Sequence, residues 1–308
     1  MSGIGGSSPR VASAAATDDE IAHDLPALME RMERVRKHLV AEREYIKLIL
    51  LGGSFIVFGT LSSRSFPWGA YLTAAILLLP LLFGWYNLPR LRLANAFRNE
   101  TLPFLLRDYG RWNYALEGSH FAREELAQSG LFGANDGASV TNIITGERYG
   151  VPLQMAALSV WPVARFGFFR GVKDVFTGWC ANIRLPGLPE GKVQILPNGL
   201  KPLGVQCAEW VARPFNASHQ LWMARGDAIE LPASLQAKLL QLIIKEPGSR
   251  FALSGSTLWV LIPGAFNRFN RATGFDVALN EPAPYNATRA ELAEMFNVID
   301  IIVWPEAR

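Results

Sequence analysis

Few residues in this chain have the types and spacing that chemistry requires. Four histidines, His23, His38, His120 and His219, and two cysteines, Cys180 and Cys207, are the groups best suited to metal ligation or nucleophilic catalysis. None stands in a His-Glu-x-x-His, Cys-x-x-Cys or His-x-His spacing, so no zinc site is signalled. No Gly-x-Ser-x-Gly elbow, phosphate-binding loop or dinucleotide fingerprint occurs. His120, after Gly118-Ser119, reads as a hydrogen-bonded structural histidine in preference to a general base. Asp136, in Asn135-Asp136-Gly137, has the setting of a turn before that of a cation ligand. The stretch Arg165-Phe166-Gly167-Phe168-Phe169-Arg170 alternates cations with aromatic rings. Arg165, Phe166, Phe168, Phe169 and Arg170 could dock an anionic ligand or a partner protein, although a strand edge beside the core is the favoured reading. The sequence therefore identifies no catalytic, cofactor or metal site.

The elements that would position such residues begin with a membrane hairpin. Leu48 to Ser63 and Ser65 to Pro89 contain no Asp, Glu, Lys or Arg, and only Arg64 separates them. A hydrocarbon core of about 30 Å needs roughly 20 apolar residues. The second run meets that length, and the first does once Tyr45, Ile46 and a snorkelling Lys47 are added. Arg31, Arg34, Arg36, Lys37, Arg43 and Lys47 precede the first run, and Arg90, Arg92, Arg98 and Arg107 follow the second. This bias places both termini in the cytoplasm and the short loop outside. Trp85 and Tyr86 suit the near interface, and Phe66-Pro67-Trp68 the far one.

Around the hairpin the chain divides into a Gly/Ser/Ala-rich tail, 1–16, expected to be disordered, and a basic helix over 17–47. The spans occupy 46–89 and a mixed α+β domain occupies 90–308. Thr17 and Glu20 have capping-box spacing, and Pro26 offers a later helix start. Leu25, Leu28, Met32, Val35 and Leu39 form a short heptad seam. The seam could pair two copies of the chain, but two heptads suit a helix packed on its own domain better. Arg31, Arg34, Arg36 and Lys37 lie where anionic lipid headgroups would be, each offering about 1 kcal/mol of attraction.

In the domain, Leu91 to about Gln128 reads as mainly helical. Strands are expected near Ser139–Thr145, Val151–Val160, Trp179–Leu185, Lys192–Leu196 and Val205–Trp210. Pro232 to Glu246 has the 3.6-residue period of an amphipathic helix, with Leu235, Leu239, Leu242 and Ile243 on one face. Phe251–Ser254 and Thr257–Ile262 flank Gly255-Ser256, a two-residue hairpin signal. Thr288 and Glu291 read as the capping box of a terminal helix. Strands mixed with helices in this order predict an α+β domain in place of regular βαβ repeats.

This order of parts resembles a bacterial family filed as domain of unknown function 3137. The resemblance is carried by Ser129-Gly130-Leu131-Phe132, Asp136-Gly137, Phe169-Arg170-Gly171 and Phe176-Thr177-Gly178, and extends to the helix and hairpin between Asp227 and Gly264. It implies a bacterial inner-membrane protein with a cytoplasmic domain, and no established activity or catalytic residue. With a net charge of +3 over 308 residues, no dense basic stripe points to nucleic acid. Both cysteines sit in strand-like text and read as small buried hydrophobes. The expected function is a non-enzymatic, membrane-anchored binding or scaffold module without a cofactor. The alternatives are a lipid-binding envelope-maintenance protein and an enzyme acting on a membrane-proximal substrate through Asp136 or His120.

Overall fold

The computed structural model describes residues 18–62, 68–118, 121–132, 136–162, 176–188, 191–202, 210–224, 229–264 and 274–303, with backbone alone at 18–24, 54–81, 136, 162 and 224. Two long helices, α1 (Asp18–Ser62) and α2 (Trp68–Leu106), pair antiparallel. Their rungs fix the direction: Arg31 pairs with Glu100, Arg92 with Glu42 at 2.8 Å, and Arg43 donates to Tyr86 Oη at 2.6 Å. As α1 numbers rise, α2 numbers fall. At 1.5 Å per residue each helix is roughly 60 Å long, so the basic N-terminal segment and the first apolar run share one unbroken rod. Pro26 lies inside α1 and does not start it.

Among the described residues the domain is built on one antiparallel sheet of nine strands in the order β1-β2-β3-β4-β9-β8-β5-β7-β6. The strands are β1 (Trp112–Ala115), β2 (Asp136–Arg148), β3 (Val151–Pro162), β4 (Phe176–Arg184), β5 (Lys192–Pro197), β6 (Trp210–Pro214), β7 (His219–Ala224), β8 (Arg250–Ser254) and β9 (Thr257–Pro263). A mixed α+β domain with a large antiparallel sheet is thus what the chain forms. One face carries the main core. Met155, Trp179, Ile183, Ile195, Phe251 and Val260 pack there against Met32 of α1, Leu93 and Phe97 of α2, and helices α4 (Ala233–Lys245) and α5 (Ala283–Val303). The Leu25–Leu39 seam is spent on this core: Leu28, Met32 and Leu39 are buried, and Leu25 and Val35 pack against it. The helix lies on its own domain, the plainer of the two expected uses.

Several elements depart from the sequence expectation. The helix expected from Leu91 to Gln128 ends at Leu106. A 3-10 turn (Arg107–Tyr109) follows, and Gly110 adopts φ +117°, open to glycine and closed to other residues. Trp112 to Ala115 then pairs with β2 as the sheet edge, and only Arg123–Gln128, here α3, is helical again. The apolar spacing continued as if helical, but backbone pairing with β2 decided the outcome. Of the strand expected at Val205–Trp210 only Trp210 is described, at the first described position of β6, and residues 203–209 lie outside the described residues. α5 starts at Ala283, ahead of the expected box. Thr288 is therefore mid-helix, and its hydroxyl donates to Pro284 O at 2.9 Å, one turn back. By contrast α4 buries the four expected residues, and Gly255 at φ +58° turns β8 into β9 as expected.

The β6–β7 turn holds a histidine. Asn216 Oδ1 accepts from the backbone N–H of Ser218 at 2.8 Å and of His219 at 2.7 Å, an Asx turn at the Asn216-Ala217-Ser218 sequence. His219 is fully buried, with Nε2 3.0 Å from Ser249 O and Nδ1 2.9 Å from Ser218 Oγ. A carbonyl only accepts, so Nε2 carries a proton. Burial pulls its pKa below the ordinary 6.5, against the opposing pull of the Ser249 carbonyl. A depressed folded-state pKa gives stability that is complete above 6.5 and is lost as pH falls below it. Unfolding free energy should therefore decline as pH drops through 6, and His219→Gln should flatten that slope. An unchanged slope in the variant would contradict this assignment.

Candidate functional site

Among the described residues a short segment covers the second face of the sheet. Phe121, Leu126, Leu131 and Phe132, in and around α3, pack on Leu158, Cys180, Trp259 and Leu261. Cys180 is free and fully buried, its thiol pushed up by the apolar surroundings, as a packing cysteine should be. Cys207 lies outside the described residues.

Register lines up an unusual row on this face. Thr145 of β2 lies opposite Gln154 of β3, which lies opposite Asn182 of β4, which lies opposite Trp259 of β9. The row continues through Ala252 of β8 and Gln194 of β5 to Trp222 of β7. Three side-chain amides thus stand inside strands that are mostly apolar. Two of them hold the cover in place: Gln194 Nε2 donates to Ser129 O at 2.7 Å, and Asn182 Nδ2 donates to Glu125 Oε2 at 3.3 Å. Gln194 is 1% exposed. Its Oε1 and the neighbouring Trp222 Nε1 are buried without a partner among the described residues.

Where the cover stops short of the sheet, an open cleft of about 660 Å³ remains. Its floor is Thr145, Gln154 and Asn182, its apolar wall includes Phe121 and Pro152, and its rim carries Arg123, Glu124, Glu125 and Arg184. This volume falls within the roughly 300–1,000 Å³ of small-molecule sites, which pair apolar walls with a few convergent polar groups. Amide donors and acceptors on the floor and both signs of charge at the rim suit binding and orienting a polar ligand. The described lining of the cleft has no Ser, Cys or His. Among the described residues no group of His, Cys, Asp and Glu could hold a metal ion.

The residues singled out from the sequence fall elsewhere. Arg165, Phe166, Phe168, Phe169, Arg170 and His120 lie outside the described residues, as does the side chain of Asp136. Of the basic group on α1, Arg34 and Lys37 are exposed, while Arg31 pairs with Glu100. Arg36 turns inward. It donates to both oxygens of Glu33, at 2.8 and 2.7 Å, and to Phe275 O at 2.6 Å, so it is not available to headgroups as expected. The cleft residues escaped sequence reading because each comes from a different strand. The available signal was an amide at an alternate, inward position of an apolar strand: Gln154, Asn182 and Gln194.

No protein-family model matches the chain, and no curated protein matches it. Among solved structures, the chain is similar to the mycobacterial trehalose monomycolate transport factor A, TtfA. They share 8% identity and a TM-score of 0.34, over 69% of this chain and 98% of that one. At this level the likeness carries neither fold nor function across.

Proposed function

We propose that this protein is a membrane-anchored binding module. In this reading α1 and α2 cross a bacterial inner membrane as a hairpin, both termini are cytoplasmic, and the α+β domain binds its ligand in the cleft over β2–β4. The resemblance to the family of domain of unknown function 3137 belongs to the same proposal. Among the described residues no helix is long and apolar enough to cross a membrane. The side chains of 54–81, which make up most of the two uncharged runs, lie outside them.

The observation that carries the reading is a collar of exposed apolar side chains at the edge of those runs. Tyr45, Leu48, Ile49 and Leu51 on α1 stand out to solvent together with Leu82, Phe83, Trp85, Leu88 and Leu91 on α2. Elsewhere among the described residues exposed large apolar residues occur singly, at Tyr149, Leu200, Val211 and Ile244. Contiguous apolar exposure of this kind calls for a covering phase. Both helices continue from the collar into sequence without charge, and lipid satisfies that need.

Alkaline carbonate extraction tests the anchor: the full chain should stay in the membrane pellet, and release to the supernatant would refute it. Native mass spectrometry of the detergent-extracted protein tests the cleft. Small-molecule adducts should be present on the parent and reduced at least tenfold by Asn182→Leu with Arg184→Glu, the loss expected for one charged hydrogen bond of about 1.5 kcal/mol. Equal adduct occupancy in parent and variant would remove the cleft from the proposal.

A further inference from the structure

At the base of the hairpin, beyond the core contacts of Met32, Leu93 and Phe97, the loop 274–279 also bears on the helices. Two residues of α1 clamp it. Arg36 donates to Phe275 O, and Glu33 Oε2 accepts from the backbone N–H of Leu279 at 2.9 Å. Between this loop and the helices lies a separate cavity of about 130 Å³, lined by Arg43, Asn87, Arg90, Gly274, Phe275 and Asp276. It is well below the roughly 300 Å³ at which sites take whole small molecules, and has the scale of a headgroup.

Its cations are placed differently. Arg43 is held: its guanidinium lies 4.6 Å from the Tyr86 ring centroid and 5.1 Å from that of Phe275, and donates to Tyr86 Oη. Tyr86 Oη accepts that bond and keeps its own proton to donate. Arg90 is exposed and makes no hydrogen bond or ion pair among the described residues. A planar guanidinium fork with donors left over fits phosphate oxygens. The single carboxylate, Asp276, repels a bare anion but suits a cation carried beside the phosphate. Arg36, the other charge within reach of Asp276, is already committed to Glu33 and Phe275 O. Asn87 Nδ2 is occupied by Phe83 O at 2.7 Å.

Position agrees with charge. Arg90 directly follows the second uncharged run, Arg43 sits just over a helical turn before the first, and the exposed Trp85 lies beside them. That is the level of the headgroups if the hairpin is inserted.

From this arrangement we infer that the cavity binds the headgroup of a phospholipid bearing a primary ammonium, the phosphodiester on Arg43 and Arg90 and the ammonium on Asp276. The inference rests on the membrane anchor proposed above and identifies one lipid chemistry it selects. An ethanolamine-type lipid then pins the loop 274–279, and with it the domain, against the bilayer.

The test uses the full chain reconstituted in nanodiscs, with retained lipid counted by native mass spectrometry. Discs contain either phosphatidylethanolamine or phosphatidylcholine, each with the same fraction of phosphatidylglycerol. Retention of phosphatidylethanolamine should exceed that of phosphatidylcholine about fivefold, the reach of one ion pair of roughly 1 kcal/mol. Asp276→Asn should abolish the preference, and Arg90→Gln, at an exposed site outside the core, should lower retention of both lipids. Preferential retention of phosphatidylglycerol, strengthened by Asp276→Asn, would mean the cavity takes an anion and would overturn the inference. Displacement of the lipid by millimolar inorganic phosphate would overturn it too, since free phosphate would then suffice. A chain that does not enter the discs defeats the anchor and this site together. A chain that enters and shows no preference defeats the site alone.

Discussion

Removing the Glu33 carboxylate, as in Glu33→Ala, is expected to destabilise the protein by about 3 kcal/mol, the low end for breaking a buried ion pair. The side chain is 9% exposed and serves two partners: the Arg36 guanidinium on its own helix and the Leu279 N–H of the loop before α5. Without it the inward-facing Arg36 keeps only the Phe275 carbonyl, and the buried Leu279 N–H has no acceptor. Lys37, at 3.9 Å and 71% exposed, contributes little. For a domain of this size the loss corresponds to a fall in Tm of roughly 6–12 °C. A change below 2 °C would show that the clasp does not hold the loop.

The same carboxylate makes a pH prediction. Bonds from Arg36, the largest influence, hold its pKa at about 2 instead of the usual 4.5, against burial, which raises it, and with help from the Leu279 N–H. A lowered folded-state pKa means the unfolded chain binds the proton first as acid is added. The contribution is therefore complete above pH 4.5 and is lost as pH falls from there towards 2. The stability gap between the parent and Glu33→Gln should be constant from pH 5 to 8 and should close below 4.5. A gap that persists at pH 2.5 would assign the stabilisation to packing.

The second large effect is expected at Gly178, where Gly178→Val should cost about 3 kcal/mol or more, the upper end for overpacking in a core. Gly178 sits in β4 between Leu158 of β3 and Pro263 of β9. A Cβ there would run into the carbonyl oxygen of Ile262, closer than real Cβ contacts come, and would also meet the Phe176 ring at 2.9 Å. β4 joins β1–β3 to the other five strands, so the carbonyl cannot retreat without opening the β4–β9 ladder. The ordinary gain from removing glycine freedom, about 0.4–1 kcal/mol, does not offset this. Denaturant unfolding should show a lower midpoint, and one within 0.5 M of the parent would mean the two halves of the sheet tolerate separation at this point. This is also a physical reason for the glycine of Phe176-Thr177-Gly178.

How much of this could be read from the sequence depended on the range of the interaction. α4 was legible because its four buried residues recur at 3.6-residue spacing, and the β8–β9 hairpin because Gly255-Ser256 is a local turn signal. The β2–β3 hairpin was only half legible. Both strands were expected, but its turn uses Tyr149 at φ +52° ahead of Gly150 at φ +77°, and a tyrosine in that conformation gives no advance signal. Likewise Asn142, at φ +53°, makes a bulge in β2. It is held by the Tyr114 hydroxyl and by Leu116 O, partners from the neighbouring edge. β1 was misread because Tyr109, Trp112 and Leu116 keep helical spacing, and only pairing with β2 makes Trp112–Ala115 a strand.

By itself the sequence determined the segregation of charge from two apolar runs, the α+β mixture, and the faces of the short periodic elements. Each of these is set by composition or by neighbours within a few positions along the chain. The tertiary structure alone decided that the Leu25–Leu39 seam packs on its own domain and that Arg36 turns inward to the Phe275 carbonyl. It also decided that Thr145, Gln154 and Asn182 share the floor of one cleft. Those outcomes depend on the register of strands and helices tens to hundreds of residues apart, and side-chain identity acts on that register only when all the packing partners are in place.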